Sequence, residues 1–106
     1  MADKITENII DEINKTLKSR YPDFYGSYLF GSRARGDSKI DSDLDLAIIF
    51  KRKIEQKLKS EISRIIADFM LKYEIIIDNP VFSYSDIIEP KMPLTENILK
   101  QGVFYG

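Results

Sequence analysis

Residues Gly31–Leu46 read G-S-R-A-R-G-D-S-K-I-D-S-D-L-D-L, and the reading of this stretch decides the fold. Gly31-Ser32 follows the aromatic run Phe24–Phe30, as a turn follows a strand. Gly36 closes a short segment of small and basic residues. Asp43 and Asp45 then open a second apolar run, Leu44 to Phe50. Side chains of a strand alternate between faces, so Asp43 and Asp45 project from the same one. Two neighbouring carboxylates repel unless they are solvated or a cation lies between them. A Gly-Ser turn that opens a helix offers backbone N–H groups to an anion. An anion cradle beside a cation site suits a metal-bound phosphate, most simply a nucleoside triphosphate with magnesium.

Outward from this stretch, periodicity assigns the remaining elements. Ile5, Ile9, Ile13 and Leu17, with Ile10 beside them, predict an amphipathic helix over 4–19. Asp3 suits its N-cap, and Tyr21-Pro22-Asp23 ends it. Phe24–Phe30 reads as a strand with a weak point at Gly26, and Ser32–Arg35 as a short helix with Gly36 as its left-handed stop. The polar residues 37–42 read as a loop. Over Asp43–Phe50, Leu44, Leu46, Ile48 and Phe50 share one strand face, and Asp43, Asp45, Ala47 and Ile49 the other. Both faces are apolar beyond the aspartates, which predicts a central, covered strand. Lys51-Arg52-Lys53 reads as a solvated turn.

Ile54, Leu58, Ile62, Ile65, Ile66, Phe69 and Met70 predict a second long helix over 54–72, their stripe forming core. Glu74–Asp78 is a β-branched strand interrupted by Pro80, with Val81-Phe82 as a continuation. Ser83 or Ser85 caps a short turn through Ile88, and Leu94–Gln101 forms a last helix ended by Gly102. The closing Val103-Phe104-Tyr105 is apolar and should pack against the rest. The order predicts one small α/β (α+β) domain over residues 1–106, a mixed sheet of few strands covered by the two long helices.

Composition narrows the chemistry. Hydrophobic residues make up 43% and charged residues 31%, as in a globular chain. A net charge of −1 gives no general basic surface for a long nucleic acid. The chain has no cysteine and no histidine. Thiolate zinc sites, Cys nucleophiles, imidazole ligands and the commonest general base are therefore excluded. Any metal must be held by oxygen, which favours magnesium, manganese or calcium. The N-terminus lacks a signal-peptide pattern and no apolar run reaches the ~20 residues of a membrane span, so the expected location is cytoplasmic.

Each candidate has a structural alternative. Asp45, flanked by Leu44 and Leu46, needs a partner, either a metal or Arg33 or Arg35 in a salt bridge. Gly31-Ser32 could be a plain helix cap. Arg33 and Arg35 could neutralise phosphate or face solvent, with Arg35 favoured for phosphate. Asp78 could complete a three-carboxylate site or simply end a strand in an Asp-Asn-Pro turn, with Glu74 as a weaker candidate on the same face.

The pattern G-S-R-A-R-G, five residues, then S-D-L-D-L resembles the signature of the DNA polymerase β nucleotidyltransferase superfamily, and the short length its minimal nucleotidyltransferase branch. A tail over Pro93–Gly102 resembles the family's P-L-x-E-N-I-x-x-x-G ending. The resemblance implies ATP as substrate and a site with two magnesium ions, manganese being a possible substitute. It implies Asp43, Asp45 and Asp78 as catalytic and metal-binding residues, the last matching the family pattern loosely. It implies Gly31, Ser32, Arg35 and Ser42 as nucleotide-binding residues. The reaction implied is transfer of a nucleoside monophosphate, AMP from ATP, to a hydroxyl. The minimal branch resembles antitoxins that pair with helical HEPN-type toxins, which makes a tyrosine of such a partner the implied acceptor. The competing expectation is a nucleotide-binding module that acts by covering a partner.

Overall fold

A computed structural model describes residues 3–36 and 42–106. The elements run α1 (Lys4–Arg20), β1 (Phe24–Phe30), α2 (Ser32–Arg35), β2 (Leu44–Phe50), α3 (Gln56–Tyr73), β3 (Ile77–Asp78), β4 (Val81–Ser83), α4 (Tyr84–Ile88), α5 (Pro93–Gln101) and β5 (Val103–Tyr105). The residues predicted as a loop between Gly36 and Ser42 fall outside the described residues.

β2 is the central strand, as its doubly apolar pattern requires. β1 lies antiparallel on one side, and β3 and then β4 lie parallel on the other. Leu44, Leu46, Ile48 and Phe50 face a core built with Ile9, Ile10, Ile13 and Leu17 of α1 and Leu58, Ile62, Ile66 and Phe69 of α3. Ala47 and Ile49 face the other way, onto Tyr28, Ile87 of α4 and Ile98 of α5. The split of β2 side chains between faces matches the sequence reading. The two long helices cover the sheet as expected, both on one face, and the small C-terminal helices close the other.

Two expectations are corrected and one is extended. Ile5 is 69% exposed, because the buried position one residue later belongs to Thr6, which is bonded inward. The strand expected over Glu74–Asp78 is confined to Ile77–Asp78. Glu74 instead takes a left-handed conformation, φ 52°, as the C-cap of α3. It is therefore not on a strand face beside Asp78. Finally, Val103–Tyr105 does more than pack. It is an edge strand, antiparallel to β1 with Ser27 opposite Tyr105.

A buried polar chain fixes that last strand. Asn14 of α1 donates to the Tyr105 carbonyl at 2.9 Å and accepts from the Ser27 hydroxyl at 2.9 Å. Gly26 admits the Phe104 ring, which an added Cβ would meet at 2.6 Å. The glycine that looked like a weak point of β1 is what lets β5 approach. No helix among the described residues is long and apolar enough to cross a membrane.

Candidate active site

Sheet register brings the acidic residues together. Asp45 is paired with Phe30 of β1 on one side and with Asp78 of β3 on the other. Register partners on adjacent strands point to the same face, so the Asp45 and Asp78 carboxylates are neighbours. Asp43 lies just before β2, on the same face by alternation. This is the face covered further along by α4 and α5. The backbone across this end is held by Leu44 N–H donating to the Ile76 carbonyl at 2.9 Å.

The electrostatics follow from that crowding. Asp45 is half-buried, while Asp43 and Asp78 are exposed. Burial pushes the Asp45 carboxyl above the usual carboxylate range, and the charges of Asp78 and Asp43 push it further. The positive charge of Arg35 acts in the opposite direction. Of the two arginines weighed as partners of Asp45, Arg35 is the one whose charge reaches it. Among the described residues no group of three or more carboxylates stands close enough to hold a metal ion by itself.

Gly31 touches the same place. It is the N-cap of α2, with φ 74° and ψ −157°, so Ser32 is the first helical residue and not the cap. A Cβ at Gly31 would collide with Asp45 Oδ2 and lie 3.1 Å from its Cγ. Only glycine combines this φ with the close approach of a carboxylate. Gly36 closes the helix in the left-handed conformation, φ 79°. Beyond the turn, Phe30, Gly31, Ala34 and Arg35 form one wall of a cavity of about 160 Å³, with Leu94, Asn97 and Gln101 of α5 opposite.

Arg33 departs from its expected role. It is 8% exposed and faces neither solvent nor the anion cradle. Its Nε and Nη2 donate to the Ser42 carbonyl at 3.1 and 2.6 Å, and its Nη1 donates to Thr6 Oγ1 at 2.9 Å. Thr6 N–H in turn donates to Asp3 Oδ1 at 2.7 Å, the N-cap bond anticipated for α1. Sequence reasoning missed Thr6 altogether. Its signal was the break it makes in the apolar stripe beside Ile5.

Gly31→Val tests the cradle. We expect the substitution to cost about 1–3 kcal/mol through backbone strain and to remove the thermal shift expected with ATP. The circular dichroism spectrum should keep its wild-type shape. Loss of the spectrum together with binding would make Gly31 a purely structural residue.

The sequence pattern of the family described as polymerase beta, nucleotidyltransferase matches residues 11–104. A protein of Methanocaldococcus jannaschii with the provisional name protein adenylyltransferase MJ0141 is 36% identical over 75 residues, 70% of this chain and 76% of that one. A crystal structure of a toxin–antitoxin pair with AMP-PNP superposes with a TM-score of 0.66 at 22% identity, covering 91% of this chain and 72% of that one. A complex of a tri-AMPylated Shewanella oneidensis HEPN toxin with an MNT antitoxin gives 0.63 at 18% identity, covering 95% and 72%. These two likenesses, at low identity, concern the fold. With the family pattern covering most of its length, this chain belongs to the polymerase β nucleotidyltransferase family.

Proposed function

We propose that this chain is a magnesium-dependent adenylyltransferase that moves AMP from ATP to a hydroxyl, the acceptor being a tyrosine of a helical HEPN-type partner. The observation that carries the reading is the register of Asp45 with Asp78 directly beside Gly31. In water such a group of like charges gains nothing. Its ionised form becomes favourable when a cation sits among the carboxylates. The donor set is all oxygen, as a hard divalent ion requires. Magnesium characteristically takes one or two carboxylates and completes its shell with water and substrate phosphates. Asp43 and Asp45 fit that habit.

Bound there, magnesium would supply charge neutralisation on the α-phosphate and on the departing pyrophosphate. The chain supplies the rest. Backbone N–H groups at Gly31 and Ser32 receive the terminal phosphates, with Arg35 adding positive charge at the exposed end of α2 and Ser42 lying beside the carboxylates. Asp78 takes the proton of the acceptor hydroxyl. The acceptor oxygen then forms a bond to the α-phosphorus as the bond from that phosphorus to the bridging oxygen breaks, and pyrophosphate leaves. Manganese would fill the same oxygen site.

The acceptor assignment draws support from relatives. The M. jannaschii protein is named for protein adenylylation, and a structural neighbour is a complex whose toxin carries AMP groups. Incubation of the pure chain with α-labelled ATP, magnesium and its co-purified partner should label the partner and raise its intact mass by whole AMP units. A partner that binds without acquiring label would favour the covering module instead. The specific observation behind that second reading is the exposure of Val103 and Phe104 on the edge strand β5.

A further inference from the structure

We infer that Arg33 is a positioning residue that locks the anion cradle and the carboxylate pair into register. The inference rests on the reading above and extends it to a side chain that bonds the Ser42 carbonyl and Thr6. Arg33 directly follows Ser32, and Ser42 directly precedes Asp43. Through the two bonds to one carbonyl, the guanidinium ties the cradle helix to the residue that leads into the carboxylate strand. The third bond, to Thr6, ties both to the first turn of α1. Three separate parts of the chain are thus fixed by one planar group.

The reason for an arginine here lies in its shape. A guanidinium presents a rigid fork of donors, so holding one carbonyl on one edge and a hydroxyl on another fixes their relative position. An ammonium on a flexible stem cannot reproduce both contacts in the same geometry. Asp43 itself is exposed and precedes the first ladder position of β2. Its placement therefore depends on what holds Ser42. Displacing a reacting group by about 1 Å can cost on the order of 10²-fold in rate. The clamp sets the distance between the bound phosphates and Asp43 before substrate arrives, which spares that ordering during the reaction.

The test uses the full chain with its acceptor partner and three variants, Arg33→Met, Arg33→Lys and Thr6→Val, each assayed well below its own Tm. We expect Arg33→Met to lower kcat about 100-fold while KM for ATP changes less than about threefold, a transition-state effect. Arg33→Lys and Thr6→Val should fall between it and wild type. A second readout is independent of turnover: the magnesium concentration giving half of the ATP-dependent thermal shift should rise about tenfold in Arg33→Met. If Arg33→Met does not fold, the same ordering of kcat and magnesium midpoint in the two milder variants carries the test. Wild-type kcat and magnesium midpoint in the folded variants would overturn the inference and leave the proposed function standing. So would losses explained by a smaller folded fraction. A wild-type chain that neither binds magnesium-ATP nor transfers AMP would overturn the proposed function, and this inference with it.

Discussion

Magnesium with ATP at about 100 times its Kd should raise the Tm of the wild-type chain by on the order of 10 °C, and Asp43→Asn with Asp45→Asn should remove the magnesium-dependent part. The size follows from mass action, about 2.7 kcal/mol at that saturation, and from the ~4–8 °C per kcal/mol of a domain this small. The single variant Asp45→Asn has a less obvious second effect: without ligand it should be more stable than wild type at neutral pH. Burial first, then Asp78 and Asp43, hold its carboxyl above the ordinary range. A raised carboxyl pKa means that the folded state holds the proton more tightly than the unfolded one. The group's contribution to stability therefore declines as pH rises from the ordinary carboxylate range through the folded pKa, and ionised Asp45 is a cost above it. The amide carries no charge to desolvate or repel. One substitution should thus stabilise the free protein and abolish the magnesium-dependent part of its stabilisation by ATP. A free Asp45→Asn protein with a lower Tm would mean that Arg35 more than offsets the repulsion, and would return Asp45 to the role of a structural ion-pair partner.

Asp78→Asn should leave ATP affinity nearly unchanged and cut transfer by ~10²-fold or more, the usual worth of a positioned general base. The register places Asp78 beside Asp45, at the outer side of the carboxylate row and exposed, where an acceptor hydroxyl can reach it. A loss confined to turnover marks an interaction made only in the transition state. A parallel loss of magnesium-dependent ATP binding would instead make Asp78 a metal ligand in the ground state. Unchanged transfer would remove it from the site. Glu74 cannot then replace it, because it caps α3 in a left-handed turn and is not part of β3. Asparagine is at home in the Asp-Asn-Pro turn that follows, so a large loss of stability is not expected in either case.

The sequence by itself determined much of this protein. Period-2 alternation in Leu44–Phe50 assigned every side chain of β2 to its correct face, because a strand flanked by two cores must be apolar on both. The stripe of α3 was legible for the corresponding reason at a period near 3.6. The turn at Gly31-Ser32 and the common face of Asp43 and Asp45 were legible because both are local: a glycine that follows an aromatic strand, and a pair whose spacing alone sets its face.

What only the tertiary structure decided lies in contacts between residues distant in the chain. Asp78 meets Asp45 through a parallel register, and nothing in a short strand interrupted by Pro80 states which neighbour it joins. Val103–Tyr105 is apolar in the sequence, but becomes a strand because Gly26 makes room for Phe104 and Asn14 bonds the Tyr105 carbonyl. Both long helices share one sheet face, because the direction of each chain crossing, not the amphipathic pattern, selects the side. Arg33 and Arg35 are near-equivalent as letters. Helical geometry turns the first toward Thr6 and the Ser42 carbonyl and leaves the second exposed. Hydrogen bonds between segments select one of two like residues for burial, and a linear pattern does not record which acceptors will be waiting there.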